Sequence, residues 1–174
     1  MKYVVTGGAG FIGSHLVKHL LSEGHDVTIV DNMFRGRLSN LDGFLEKINL
    51  IQLDILDYEK LRNCIKNADG IFHQAALTSV VESYQKENEY HKVNVIGTEN
   101  IFKIAKEFSI KVVYASSSSV YGNITKIPIT ETFDRKPINP YGKTKLDDEY
   151  LSENFVKSGS EIIGLRYFNV YGLG

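Results

Sequence analysis

The sequence predicts an α/β fold: a doubly wound parallel sheet in the order 3-2-1-4-5-6, with helices on both faces. Three observations carry it. Short β-branched or apolar runs alternate with stretches of helical periodicity, the pattern of parallel strands joined by crossover helices. The first run leads through a glycine turn, TGGAGFIG, into a helix. The second run ends on a carboxylate, Asp31.

KYVVT is the first strand, and the helix after it carries Leu16, Val17, Leu20 and Leu21 on one apolar stripe before Gly24 stops it. HDVTIVD is the second strand and INLIQLD the third, separated by a polar loop that holds Arg35 and Arg37. A helix over DYEKLRNCIKNA precedes the fourth strand, GIFHQAA. A long helix is expected over 84–108, then IKVVYASSS as the fifth strand. The stretch NPYGKTK opens a helix running to about Lys157, and EIIGLRY is the sixth strand. Right-handed crossovers give the strand order. The sequence then stops at NVYGLG without a closing helix, so residues 1–174 read as one dinucleotide-binding domain whose C-terminal substrate-binding part is absent.

The 174 residues suffice for one domain with a sizeable core, and 43% hydrophobic with 24% charged residues is an ordinary globular balance. Twenty basic against twenty-one acidic side chains leave no global field for nucleic acid or an anionic membrane, so a small molecule is the expected partner. The chain enters strand pattern at Met1 without a signal-peptide layout, and no apolar run approaches the roughly 20 residues a bilayer requires. The lone Cys64 cannot form an internal disulfide. A soluble, cytoplasmic protein is expected.

Gly8, Gly10 and Gly13 satisfy G-x-G-x-x-G, and Gly7, Gly10 and Gly13 give a second register. A side chain at this turn would keep backbone N–H groups away from a pyrophosphate at the positive end of the first helix. Alone the motif is weak. Between strand and helix, and followed by Asp31 where a carboxylate accepts hydrogen bonds from an adenosine ribose, it points to a dinucleotide. The Asp31 charge opposes the 2′-phosphate of NADP and favours NAD, whereas Arg35 and Arg37 could clamp that phosphate. Further cofactor positions should emerge from the carboxyl ends of the strands: Asp54 and Ile55, Gln74 to Thr78, and Ser116 to Ser118.

In NPYGKTK, Asn139 suits an N-cap and Pro140 the first helical position, which puts Tyr141 in the first turn and Lys145 one turn later on the same face. A neighbouring ammonium and the positive helix end both favour a phenolate, so Tyr141 can act as a general base. By itself Y-x-x-x-K reads first as an exposed pair, because the pattern is short and helices are rich in lysine; the glycine loop upstream reverses this in favour of the catalytic reading.

With the glycine loop, Asp31, the run ASSSSVYG and Y-x-x-x-K in this order, the whole chain resembles the extended short-chain dehydrogenases/reductases. More narrowly, it is similar to the NAD-dependent epimerase/dehydratase group, whose Rossmann-type domain serves enzymes acting on nucleotide sugars. The resemblance implies Tyr141 as catalytic base, Lys145 at the nicotinamide ribose, and Ser117, with Ser118 as runner-up, as the hydroxyl that positions substrate. It places Phe11 and Ile12 near the pyrophosphate, Asp31 and Asn32 at the adenosine ribose, and Asp54 and Ile55 at the adenine. Gln74, Ala75, Ala76 and Thr78 fall along the cofactor, Asn94 and Phe168 at cofactor and active site, and Asn169 at the substrate. It also implies a homodimer built on the helices over 90–108 and 146–156.

Related dehydratases carry an Asp-Glu pair after the position of Ser117, and decarboxylases tend to carry Glu at the position of Ser119. This chain has Ser118 and Ser119 there. The expected activity is therefore NAD-dependent 4-epimerisation of a UDP-hexose, UDP-glucose to UDP-galactose or the N-acetyl forms, through a transient 4-keto sugar. A non-catalytic NAD-binding module and a reductase of a non-sugar carbonyl are the competing readings. No metal site is expected: His15 and His19 lack a third ligand, and His73 reads as a core residue.

Overall fold

A computed structural model describes residues 1–173. Six strands, β1 (Lys2–Thr6), β2 (Asp26–Asp31), β3 (Asn49–Gln52), β4 (Gly70–His73), β5 (Lys111–Ser117) and β6 (Ile162–Tyr167), form an all-parallel sheet in the order β3-β2-β1-β4-β5-β6. Thr6 pairs with both Val30 and His73, and Ser117 pairs with Tyr167. The carboxyl ends of the strands thus share one edge, and the chain turns from β1 toward β2 on one side and β4 on the other, which opens the crevice where such sheets take ligands.

Alternation along β1 divides the core. Val4 joins Ile71, Val112 and Tyr114 beneath α2 (Tyr58–Ile65) and α5 (Gly97–Phe108), with Leu151 and Phe155 of α6 (Pro140–Lys157) packed against this cluster. Val5 joins Ile29, Val17 and Leu20 beneath α1 (Phe11–Ser22) on the other face. On the α1 face the edge strand β6 stays uncovered, with Ile163 60% and Leu165 41% exposed.

Local chemistry sets the helix ends. Gly24, at φ +77°, stops α1 in the left-handed region that glycine tolerates. The N-terminus of α6 is as its sequence predicts: the Asn139 side chain accepts the Gly142 N–H at 2.7 Å, and Pro140 takes the first turn, where no intrahelical bond is lost.

The helix expected over 84–108 is instead a series of segments. After α3 (Val80–Ser83) come α4 (Glu87–Tyr90), a π-helical stretch His91–Ile96, and α5. The wider π turn holds an extra residue inside the helix, and here it turns Asn94 wholly inward. Gly97 follows because a Cβ there would overlap the Ile55 side chain. The strands are shorter than their apolar runs: residues 53–54, 74–76 and 118 leave the ladders to form the loops of the crevice. Among the described residues no helix is long and apolar enough to cross a membrane.

Candidate active site

The glycine turn forms a cradle that side chains would fill. Gly7 has φ +68°, and a Cβ on it would lie 2.7 Å from the Ala75 nitrogen; one on Gly13 would overlap the Gly7 carbonyl oxygen. Gly10 is the N-cap of α1, which has no side-chain cap bond and no acidic residue in its first turn. The amides of Phe11, Ile12 and Gly13 therefore present an anion-binding end of the helix without competition from the protein.

Asp31 is buried at the end of β2, its Oδ2 accepting the Ala9 N–H at 3.0 Å and its Oδ1 the Met33 N–H at 2.9 Å. Each oxygen keeps a second lone pair. Asn32 donates to Asp54 at 2.9 Å, which ties the loops after β2 and β3 together. Ile55 belongs to the core beneath α5, so any part it plays at the crevice falls to its backbone. Arg35 is engaged by Glu82 at 2.6 Å, a partner beyond the reach of local pattern.

Beyond β4, Gln74 and Ala75 follow the β1 edge, the Gln74 N–H donating to the Thr6 carbonyl at 3.0 Å. The Gln74 side-chain nitrogen is buried with no hydrogen-bond partner among the described residues, a donor that a ligand acceptor would satisfy. With the uncapped α1 and the glycine cradle, this orphan makes the crevice fit a dinucleotide. Asn94 is engaged within the protein itself. Its Oδ1 accepts the Leu77 N–H at 2.8 Å, while Nδ2 donates to the Leu77 carbonyl and to Thr144 Oγ1, each at 3.0 Å. Both amide protons are consumed in bracing the 74–78 loop to α6, which leaves Asn94 none to offer the cofactor.

Tyr141 and Lys145 sit at i, i+4 on α6, Tyr141 half-buried and Lys145 3% exposed. Ser117 ends β5 and accepts the Ser119 N–H at 3.1 Å, which starts a 3₁₀ turn over Ser118–Tyr121 and leaves the Ser117 hydroxyl proton free. This turn packs on the first turn of α6, where Gly142 admits the Ser119 carbonyl: a Cβ there would lie 2.8 Å from that oxygen. The Ser117 and Tyr141 segments are thereby neighbours on the edge that holds the glycine cradle.

Beneath them Glu149 accepts from Arg166 through both oxygens, at 2.8 and 2.9 Å, from Ser116 at 2.6 Å and from Arg135 at 3.0 Å. Burial pushes its carboxyl up, but the bonds to Arg166, Ser116 and Arg135 outweigh it and hold the group below the usual carboxylate range. Arg166 also donates to the Tyr121 hydroxyl at 2.8 Å, so the serine turn, α6 and β6 share one charged hub.

The NAD dependent epimerase/dehydratase family matches residues 3–174. The chain belongs to that family. It is 38% identical to a UDP-glucose 4-epimerase of Lacticaseibacillus casei, over 99% of this chain and 52% of that protein. It is 37% identical to a UDP-N-acetyl-alpha-D-glucosaminuronate decarboxylase of Bacillus cytotoxicus, over 98% and 55%. The structure of a UDP-glucose 4-epimerase of Thermotoga maritima with UDP-glucose superposes with a TM-score of 0.93 at 34% identity, covering 99% of this chain and 57% of that one. This epimerase/dehydratase chain thus spans about half the length of the relatives it matches.

Within this family member Phe168 and Asn169 lie just past β6, both exposed. Thr78 is exposed and Ala76 half-buried in the loop that Asn94 braces. Pattern reading missed Arg166, Glu149, Asp148 and Glu82; the local signals were on α6, where Asp148 and Glu149 lie three and four residues after Lys145 and so continue its helix face.

Proposed function

We propose that this chain is the cofactor-binding half of an NAD-dependent nucleotide-sugar epimerase that inverts C4 of a UDP-hexose, UDP-glucose and UDP-galactose first among them. The juxtaposition of Tyr141 on the first turn of α6 with the Ser117 turn, beside the crevice of the glycine cradle, carries this reading.

When bound, NAD supplies reversible acceptance of a hydride from the sugar. The chain's own residues handle the proton. Tyr141, as phenolate, takes it from the sugar 4-hydroxyl, and the Ser117 hydroxyl donates a hydrogen bond to the same oxygen. Lys145 binds the nicotinamide ribose through the protons its ammonium does not give to Asp148. Return of the proton from Tyr141, with hydride delivered to the opposite face of C4, gives the epimer.

Gly7, Gly10, Phe11, Ile12 and Gly13 would hold the pyrophosphate, and Asp31, Asn32 and Asp54 the adenosine end. The Glu82 carboxylate beside Arg35 offsets part of the positive charge a 2′-phosphate would meet, which supports NAD over NADP. The Bacillus cytotoxicus relative motivates a second reading, decarboxylation of a UDP-glucuronate derivative. Ser119, where decarboxylases tend to carry Glu, weighs against it. A cytoplasmic homodimer completes the proposal; Ile96, Tyr150 and Val156 are the exposed apolar side chains its helices offer, and light scattering at twice the chain mass would support it.

The decisive experiment incubates full-length protein with UDP-galactose and NAD. UDP-glucose should form, and Tyr141→Phe should lower turnover by about 10²-fold or more. A 4-keto-6-deoxy product, or carbon dioxide released when a UDP-glucuronate derivative is supplied in place of UDP-galactose, would replace epimerisation by another family reaction, and undiminished turnover in the variant would remove Tyr141 as base.

A further inference from the structure

Lys145 is not alone beneath the crevice. Its Nζ donates to Asp148 Oδ2 at 3.1 Å, and the two side chains are 3% and 0% exposed. Helical side chains lean toward the N-terminus of their helix, so Asp148 leans back on Lys145 as Lys145 leans toward Tyr141. Phenol, ammonium and carboxylate therefore follow one another along one face of α6.

Asp148 Oδ1 is buried with no hydrogen-bond partner among the described residues, and Thr98 of α5 is close enough to act on the carboxylate. The Thr98 hydroxyl ends a polar chain. The Ala75 N–H donates to Thr6 Oγ1 at 3.3 Å, and Thr6 Oγ1 is hydrogen-bonded to His73 Nδ1 at 2.6 Å. On its other side the ring is hydrogen-bonded through Nε2 to Thr98 Oγ1 at 2.9 Å. The chain crosses from the end of β1 through β4 to α5, which packs against α6. It ties the place of the ammonium to the same strand ends that form the crevice.

A buried ammonium with no counter-charge is strongly disfavoured, and with one it is confined to where that charge lies. Of its three protons Lys145 gives one to Asp148 and retains two for a ligand. We propose that Asp148 is the positioning residue of Lys145: its buried carboxylate, paired with the ammonium at 3.1 Å, sets where that charge stands for the cofactor ribose and for Tyr141. The proposal rests on the reading of Lys145 as the ribose-binding residue, which the test separates from it.

The test is a double-mutant cycle in full-length protein, with NAD affinity read by calorimetry and folding by thermal melting. Lys145→Met should weaken NAD binding about tenfold, the loss of a charge-assisted hydrogen bond. Asp148→Asn should weaken it by a similar factor, and the double variant should be no worse than Lys145→Met alone. Thr98→Val, which keeps both charges, should show a smaller loss that also vanishes in the Lys145→Met background, and it serves if Asp148→Asn does not fold. Weakening by Asp148→Asn that persists undiminished without Lys145 would mark a merely structural residue and overturn the proposal. So would wild-type affinity in Asp148→Asn beside an impaired Lys145→Met. Wild-type affinity in Lys145→Met would instead overturn the role of Lys145 itself.

Discussion

Asn94 Nδ2 and Thr144 Oγ1 are hydrogen-bonded at 3.0 Å, joining a π turn of one crossover helix to α6, the helix of the next. Because the same amide also holds both backbone groups of Leu77, one side chain fixes the 74–78 loop against α6. Asn94→Ala leaves buried polar groups unsatisfied and should destabilise the fold by roughly 2–4 kcal/mol. Urea unfolding measures this; a change below about 0.5 kcal/mol would refute the brace.

Gly13→Ala should be harmful although its backbone conformation is ordinary, because the added methyl overlaps the Gly7 carbonyl oxygen. The turn must move, at about 1–3 kcal/mol, and the α1 amides move with it. Calorimetry should find NAD binding lost or weakened beyond what the melting shift explains.

Two buried groups give opposite acid responses. Burial, aided by the Lys145 charge, pulls His73 down to about 3, so the unfolded chain takes up a proton below its usual value near 6.5 and the native state does not. Stability from His73 is complete above about pH 6.5 and lost as pH falls toward 3. Asp148 runs the other way: burial, partly offset by Lys145, pushes it up to about 6. It binds a proton in the native state first, and so adds stability as pH falls from about 6 to 4. Each slope approaches about 1.4 kcal/mol per pH unit. In urea titrations from pH 6.5 to 4, His73→Gln should flatten the acid loss and Asp148→Asn should steepen it.

Glu82→Gln should release Arg35 to meet a 2′-phosphate. The ratio of NADP to NAD dissociation constants should fall about fivefold, the scale of one exposed ion pair, and fluorescence titration with the reduced cofactors reads it. An unchanged ratio would show that Asp31 alone discriminates.

The sequence by itself determined the strand order, the glycine cradle and the Asn139-capped helix that carries Tyr141 and Lys145. These are local matters: hydrophobic period, steric freedom at a turn, and caps read over a few adjacent residues. Only the tertiary structure decided that Asn94 braces a loop, that Arg35 is taken by Glu82, that Glu149 gathers two arginines, and that Asp148 stands behind Lys145. Arg35 and Glu82 are 47 residues apart, and Asn94 and Thr144 are 50 apart. Polar groups so distant in sequence find their partners only when the sheet has brought their elements together, and periodicity carries no record of that choice. Even the Lys145–Asp148 pair, local in spacing, becomes a buried ion pair only because α5 and the strand ends close over it.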